Sequence, residues 1–264
     1  MQIAGTSLKP LEVWRSDVKL EDTRNFASAI ASAVLRGGAG ARVTFARSSP
    51  QTPLVLYERE SCKYSRLVRE ALSELDLDAL IKPCPHGEGP HNRELRDASG
   101  ATVVPFLVDR SQRASFEGGD NIIRHLSNQY GSHAAPARLR ANKLNLLTSG
   151  LVSKLRGGEP HYQEPKRRPD LPLELFNYEA SPYCRVVREA LDSLGVPYFS
   201  RNLARHSSKR AEFKERFGRE QFPYLFDPNN GVGMFESQAI VQYLHATYTR
   251  CFDSVPFDIG CHPA

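Results

Sequence analysis

Apolar and polar positions follow the same order twice along this chain. The runs LVLY at 54–57 and LELF at 173–176 have the length and content of buried strands. Apolar residues then recur at helical spacing, at Leu67, Val68, Ala71, Leu72 and Leu75, and again at Val186, Val187, Ala190, Leu191 and Leu194. Second strands are predicted at 79–82 and 198–202. Polar helical stretches follow at 93–98 and 209–217, and each ends at a helix-stopping glycine, Gly100 or Gly218. Segments 103–109 and 221–227 read as strands with a proline at the start, and a fourth strand and last helix fill 115–126 and 234–244. The predicted order is β-α-β-α-β-β-α, twice.

The letters repeat as well as the pattern. RLVREAL in the first helix returns as RVVREAL in the second, 119 residues later. Stretches 23–36 and 138–156 are helical in pattern and both end in Leu-Arg-Gly-Gly, so a helical arm precedes each copy. The organisation expected is an arm at 1–50, a first domain at 51–131, a helical linker at 132–171, a second domain at 172–250 and a tail at 251–264. Proline and charge cluster at 159–172, as in a connector.

Composition narrows the class. Of 264 residues, 40% are hydrophobic and 25% charged, as in a soluble globular protein. No apolar run reaches the ~20 residues that span a bilayer, and residues 1–14 lack the layout of a secretory signal. Five cysteines, an odd number, argue against a disulfide framework and for a reducing compartment. The net charge of +5 is spread, with arginine in excess of lysine and one basic cluster, Lys166-Arg167-Arg168, so no nucleic-acid stripe is expected. Cys84, His86 and His91 share a Gly/Pro-rich loop, but three scattered ligands do not make a metal site and no metal is expected.

The chemistry lies where the copies differ. The first helix opens with Cys62-Lys63-Tyr64-Ser65 and the second with Ser181-Pro182-Tyr183-Cys184, so each keeps the opposite half of a Cys-x-x-Cys pair. A thiolate at the start of a helix is stabilised by free backbone N–H groups and the helix dipole. Cys62 has that place, and Ser65 cannot close a disulfide with it. Exchange through Cys62 would then run by a mixed disulfide cleared by an outside thiol. Ser181 cannot exchange disulfides, but its hydroxyl could donate to a bound thiolate. Cys184, one turn further in, is either reactive or a small core residue, and Cys84 is a candidate exposed thiol to resolve Cys62. Glu236-Ser237, at the start of the last helix, suits an amino-acid end group, with the carboxylate at the helix N-terminus. The first copy reads Glu117-Gly118-Gly119-Asp120 there.

These residues carry a resemblance. The second copy resembles the N-terminal domain of glutathione transferases in SPYCRVVREAL, FPYLFDP and MFESQAIVQYL, and the first is similar but leans to glutaredoxin in CKYS, Thr102-Val103-Val104-Pro105 and Gly118-Gly119. The resemblance covers about residues 20–250. It implies two thioredoxin-like α/β domains in tandem, each a mixed four-stranded sheet flanked by helices, with glutathione as cosubstrate. It further implies that Pro105 and Pro223 are cis, so that Val104 and Phe222 turn their backbone towards an extended peptide. Tyr64, Val104, Pro105, Glu117 and Gly118 would then bind glutathione in the first copy, and Tyr183, Phe222, Pro223, Glu236 and Ser237 in the second. Lys63 and Ser65 depart from the Cys-Pro-Phe-Cys of many relatives. Only the connector and a short tail stand where transferases carry an all-helical domain, so a standard transferase is not expected. The expected activity is monothiol-type thiol–disulfide exchange through Cys62, with protein thiols as further partners, in the cytoplasm or a plastid stroma. The alternatives are a non-catalytic glutathione-binding scaffold and a transferase using Ser181.

Overall fold

The computed structural model describes residues 38–140 and 161–249. The arm predicted at 23–36, most of that at 138–156, and Cys251 and Cys261 lie outside them. The first copy comprises β1 (Leu54–Glu58), α1 (Lys63–Glu74), β2 (Ala79–Pro83), α2 (Pro90–Ser99), β3 (Phe106–Asp109), β4 (Ala114–Glu117) and α3 (Gly119–Tyr130). The second repeats it with β5 (Leu173–Asn177), α4 (Pro182–Leu194), β6 (Tyr198–Asn202), α5 (Lys209–Phe217), β7 (Tyr224–Asp227), β8 (Val232–Phe235) and α6 (Ser237–Tyr248). This is the predicted order, with boundaries shifted by a few residues at most. Among the described residues no helix is long and apolar enough to cross a membrane.

The two expected four-stranded sheets are one. Eight strands run in the order β4-β3-β1-β2-β6-β5-β7-β8. Within each copy the first two strands are parallel and the others antiparallel. The join is an antiparallel pairing of β2 with β6, with Ala79 opposite Ser200, Leu80 opposite Phe199 and Ile81 opposite Tyr198. In a lone module the second strand would be an edge with unpaired N–H and C=O groups, and here each edge satisfies the other.

Alternation along the strands sorts the core into two layers. Leu54 and Leu56 of β1 and Ile81 of β2 face α1 and α3, where Leu67, Val68, Leu72, Ile122 and Leu126 are buried; the second copy matches them with Leu175, Leu191, Leu194, Ile240 and Leu244. Val55, Tyr57 and Phe106 face α2 through Leu95, and Phe176 and Tyr224 face α5 through Phe213. The last helix of each copy is tethered to the end of the third strand. Asp109 accepts hydrogen bonds from Tyr130 at 2.6 Å and His125 at 2.8 Å, and Asp227 from Tyr248 at 2.5 Å and Tyr243 at 2.7 Å.

The layer over the β2–β6 seam is ionic. Arg69 of α1 pairs with Glu58, with Glu60 at 3.1 Å and with Glu179 of the second copy at 2.9 Å. Arg188 of α4 pairs with Glu179 at 2.9 Å and with Glu60 of the first copy at 3.1 Å. All five residues are buried. Burial is the largest influence on Glu58 and pushes its carboxyl up to about 7 against the pull of Arg69. Burial likewise raises Asp192 well above the ordinary range, helped by the charges of Glu58 and Glu60. Four buried acids, Glu58, Glu60, Glu179 and Asp192, thus share this layer with Arg69 and Arg188, with Arg66 3.9 Å from Glu179, and like charges crowded out of water are what push a carboxyl up.

Candidate functional site

Each site turn leads from a strand end to a helix start. In the first copy the amide of Cys62 donates to the carbonyl of Arg59 at 3.0 Å, closing a tight turn with Glu60 and Ser61 at its centre. Cys62 is the N-cap of α1 and is partly exposed. Its side chain makes no cap hydrogen bond, and among the described residues the amides of Tyr64 and Ser65 have no acceptor. Unfilled donors at a helix start are an arrangement that can hold an anionic group. The thiol lies 3.7 Å from the carbonyl oxygen of Val104.

Both predicted cis prolines are present, at Val104-Pro105 and Phe222-Pro223. Among the described residues neither Val104 nor Phe222 has its backbone N–H paired. Opposite Cys62, α3 begins at Gly119 after Gly118, whose φ is +81°. A Cβ at 119 would lie 3.3 Å from the Tyr64 carbonyl oxygen, a tight contact that marks how closely the two helix starts approach. Tyr64, 37% exposed, forms the rim, with the Lys63 ammonium 5.3 Å from its ring centre.

The second copy builds the same frame and fills it differently. Its turn closes from Ser181 N–H to the Tyr178 carbonyl at 3.3 Å, with Glu179 inside. Ser181 caps α4, its hydroxyl oxygen accepting from the Cys184 amide at 3.3 Å, and the residue is only 2% exposed. Cys184 is fully buried, and burial raises its thiol above the ordinary value. Glu236 sits at φ +72° before α6 and accepts from the Gln221 side-chain amide at 2.5 Å, next to the buried Ser237. Tyr183 stands out at 48% exposure.

Strand register refines the comparison of the copies. Phe106 pairs with Glu117 and Tyr224 with Phe235, so Gly118 holds the place of Glu236, and Gly119 that of Ser237. Glu117 is an exposed strand residue one place earlier. Gln221 was not singled out from the sequence, although it directly precedes the Phe222-Pro223 pair.

The Cys84 loop departs from expectation. Cys84 is fully buried with Val55, Tyr57 and Leu95, its thiol reaching the Lys82 carbonyl at 3.6 Å, and burial pushes that thiol strongly up. It is a core residue and no exposed resolving thiol. His91 turns to Glu94 at 3.1 Å and His86 to Arg59 at 3.1 Å. Among the described residues no three His, Cys, Asp or Glu side chains converge as for a metal.

Comparison with known proteins agrees with this geometry. A family model described as the glutathione S-transferase N-terminal domain matches residues 56–135 and 175–250. A glutathione S-transferase-like protein, OpS6 of Beauveria bassiana (strain ARSEF 2860), is 29% identical over 79 residues, which cover 30% of this chain and 36% of that protein. The chain thus matches only about a third of that relative's length. No solved structure matches. With its two matched segments coinciding with the two copies of one α/β unit, the chain belongs to the glutathione S-transferase N-terminal domain family.

Proposed function

We propose that the chain is a glutathione-dependent thiol–disulfide exchange protein of the monothiol kind, with Cys62 as its nucleophile. The observation that carries this reading is the contrast between the two helix starts. Cys62 is a partly exposed thiol beside unfilled amides, whereas Ser181, Cys184 and Cys84 are buried.

Glutathione would lie across the Val104-Pro105 edge, its cysteinyl backbone pairing with the free amide of Val104. Its γ-glutamyl carboxylate would meet the α3 N-terminus, where Gly118 is partly exposed and carries no side chain, Gly119 being buried against Tyr64. The Cys62 thiolate attacks one sulfur of a glutathione mixed disulfide. A Cys62–glutathione disulfide forms, and the displaced thiolate leaves and takes up a proton. The thiolate of a second glutathione then attacks the glutathionyl sulfur, releasing oxidised glutathione and restoring Cys62. Ser65, buried one turn along, has no thiol to divert the intermediate. The second copy would hold glutathione through Phe222, Gln221, Glu236 and Ser237 without exchanging it.

The test is intact-mass spectrometry of the reduced protein after mixing with oxidised glutathione, followed by peptide mapping. One glutathione adduct, on Cys62, is expected. No adduct there would sink the mechanism. A second reading, transfer of glutathione to an electrophile through Ser181, draws on the Gln221–Glu236 pair at the α6 start. The burial of the Ser181 hydroxyl and its use as a helix cap weigh against it.

A further inference from the structure

The residue that seats the Cys62 turn most firmly belongs to the other copy. Glu60, at the centre of that turn, has its carboxylate gripped on both oxygens by Arg188 of α4, Nε to Oε2 at 3.1 Å and Nη2 to Oε1 at 3.3 Å. Arg69 of α1 adds one contact to the Glu60 carbonyl at 3.3 Å and one to the carboxylate at 3.1 Å. A two-pronged guanidinium–carboxylate pair fixes orientation as well as position. Arg188 is itself held by the Asn177 side chain at 3.3 Å and by Glu179 at 2.9 Å.

The arrangement is reciprocal. Glu179 occupies the centre of the Ser181 turn and pairs with Arg69 of the first copy, Nε to Oε2 at 2.9 Å and Nη2 to Oε1 at 3.4 Å. Its amide also donates to Ser73 of α1 at 3.1 Å. Each reactive-position turn is therefore clamped by the helix arginine of the opposite copy, at equivalent places 119 residues apart.

We propose that Arg188 is a positioning residue for Cys62, acting across the seam through Glu60, so that the second copy is part of the first copy's reactive site. This rests on Cys62 being the reactive thiol. With Arg188 removed, Glu60 keeps its ion pair with Arg69, which also serves Glu58 and Glu179, and the nearby charge of Arg185. The turn then loses its two-pronged anchor two residues before the sulfur, while nothing that touches Cys62 directly is altered.

The test uses the full chain and two reagents for Cys62, iodoacetamide and oxidised glutathione, with rates read by peptide mapping and folding checked by circular dichroism. In Arg188→Met, both rates at Cys62 are expected to fall about tenfold or more at temperatures where the spectrum is native, as small misplacements of reacting groups do. Adding Glu60→Gln removes the stranded charge and is expected to recover part of the loss. Wild-type rates in folded Arg188→Met overturn the proposal and leave Arg188 a purely structural residue. Should Arg188→Met fail to fold, Arg188→Lys keeps the charge but not the two-pronged grip. A slowed Cys62 in that variant supports the proposal, and an unchanged one overturns it. Failure of the exchange mechanism is distinguishable, because wild-type Cys62 would then react with iodoacetamide and refuse glutathione.

Discussion

The turns at Cys62 and Ser181 have the same backbone course and opposite surroundings. Both span four residues, both carry a central glutamate clamped from across the seam, and each copy has a cis proline. At Cys62 the side chain leaves the helix amides unfilled and reaches towards Val104. At Ser181 the hydroxyl turns inward to cap its own helix, and the residue is closed off. One oxygen-for-sulfur difference thus goes with a helix start whose amides are left unfilled in one copy and capped in the other. A serine hydroxyl is a good N-cap acceptor and a thiol a poor one, so the copy with serine at this place has a cap that the copy with cysteine lacks.

The comparison can be broken most sharply by replacing the residue that ends each turn and caps its helix. Cys62→Ser is expected to abolish glutathione adduct formation and exchange, and Ser181→Ala to leave both within about twofold, since a group outside the reaction contributes little to its barrier. Equal losses in assays with a small mixed disulfide would erase the asymmetry. Next in size is the shared clamp. Arg69→Met strips a partner from Glu58, Glu60 and Glu179 together. It is expected to cost about 3–5 kcal/mol in denaturant unfolding, because buried carboxylates are left uncompensated.

A pH series isolates one member of that clamp. The Glu58 carboxyl is raised from its ordinary 4.5 to about 7. The folded state therefore binds the extra proton in that window, and its contribution to stability is full below about pH 4.5 and fades as pH rises through about 7. Glu60 works in the opposite sense. Burial would raise it, but the charges of Arg188 and Arg69 prevail and hold it below its ordinary value, so its contribution is lost on acidification. Comparing wild type with Glu58→Gln separates the two. The variant is expected to show a shallower decline in Tm between pH 5 and 8, the remainder coming from Asp192, and an unchanged slope would show that Glu58 does not hold the proton. The smallest effect is the cap itself. Ser181→Ala is expected to cost about 1 kcal/mol in thermal unfolding, while Cys62→Ala, with no cap bond to lose, costs less.

Much of this was legible from local pattern. Strand and helix order followed from apolar periodicity, and the Cys/Ser contrast was plain in the letters CKYS and SPYC. The cis prolines came with the resemblance and not from the residues alone. The seam was not legible, because the pairing of 79–81 with 198–200 leaves no mark on either strand. Nor was the burial of Arg69 and Arg188 legible, since each has a partner 110 or 128 residues away in the other copy. The Phe-Glu pairs at 116–117 and 235–236 look equivalent at the 119-residue offset. The offset drops to 118 before the third strand, as Pro105 and Pro223 already indicate, and only strand register assigns Gly118 to the place of Glu236. Cys84 looked exposed because proline and glycine surround it, but its strand-end position turns the thiol into the sheet's lower core layer.

The join between β2 and β6 gives the chain a property that a pair of separate modules would lack. A partner held in the same polypeptide is present at an effective concentration that does not depend on how much protein there is. Dilution, which would dissolve a dimer of such modules, leaves the Cys62 turn with its arginine in place.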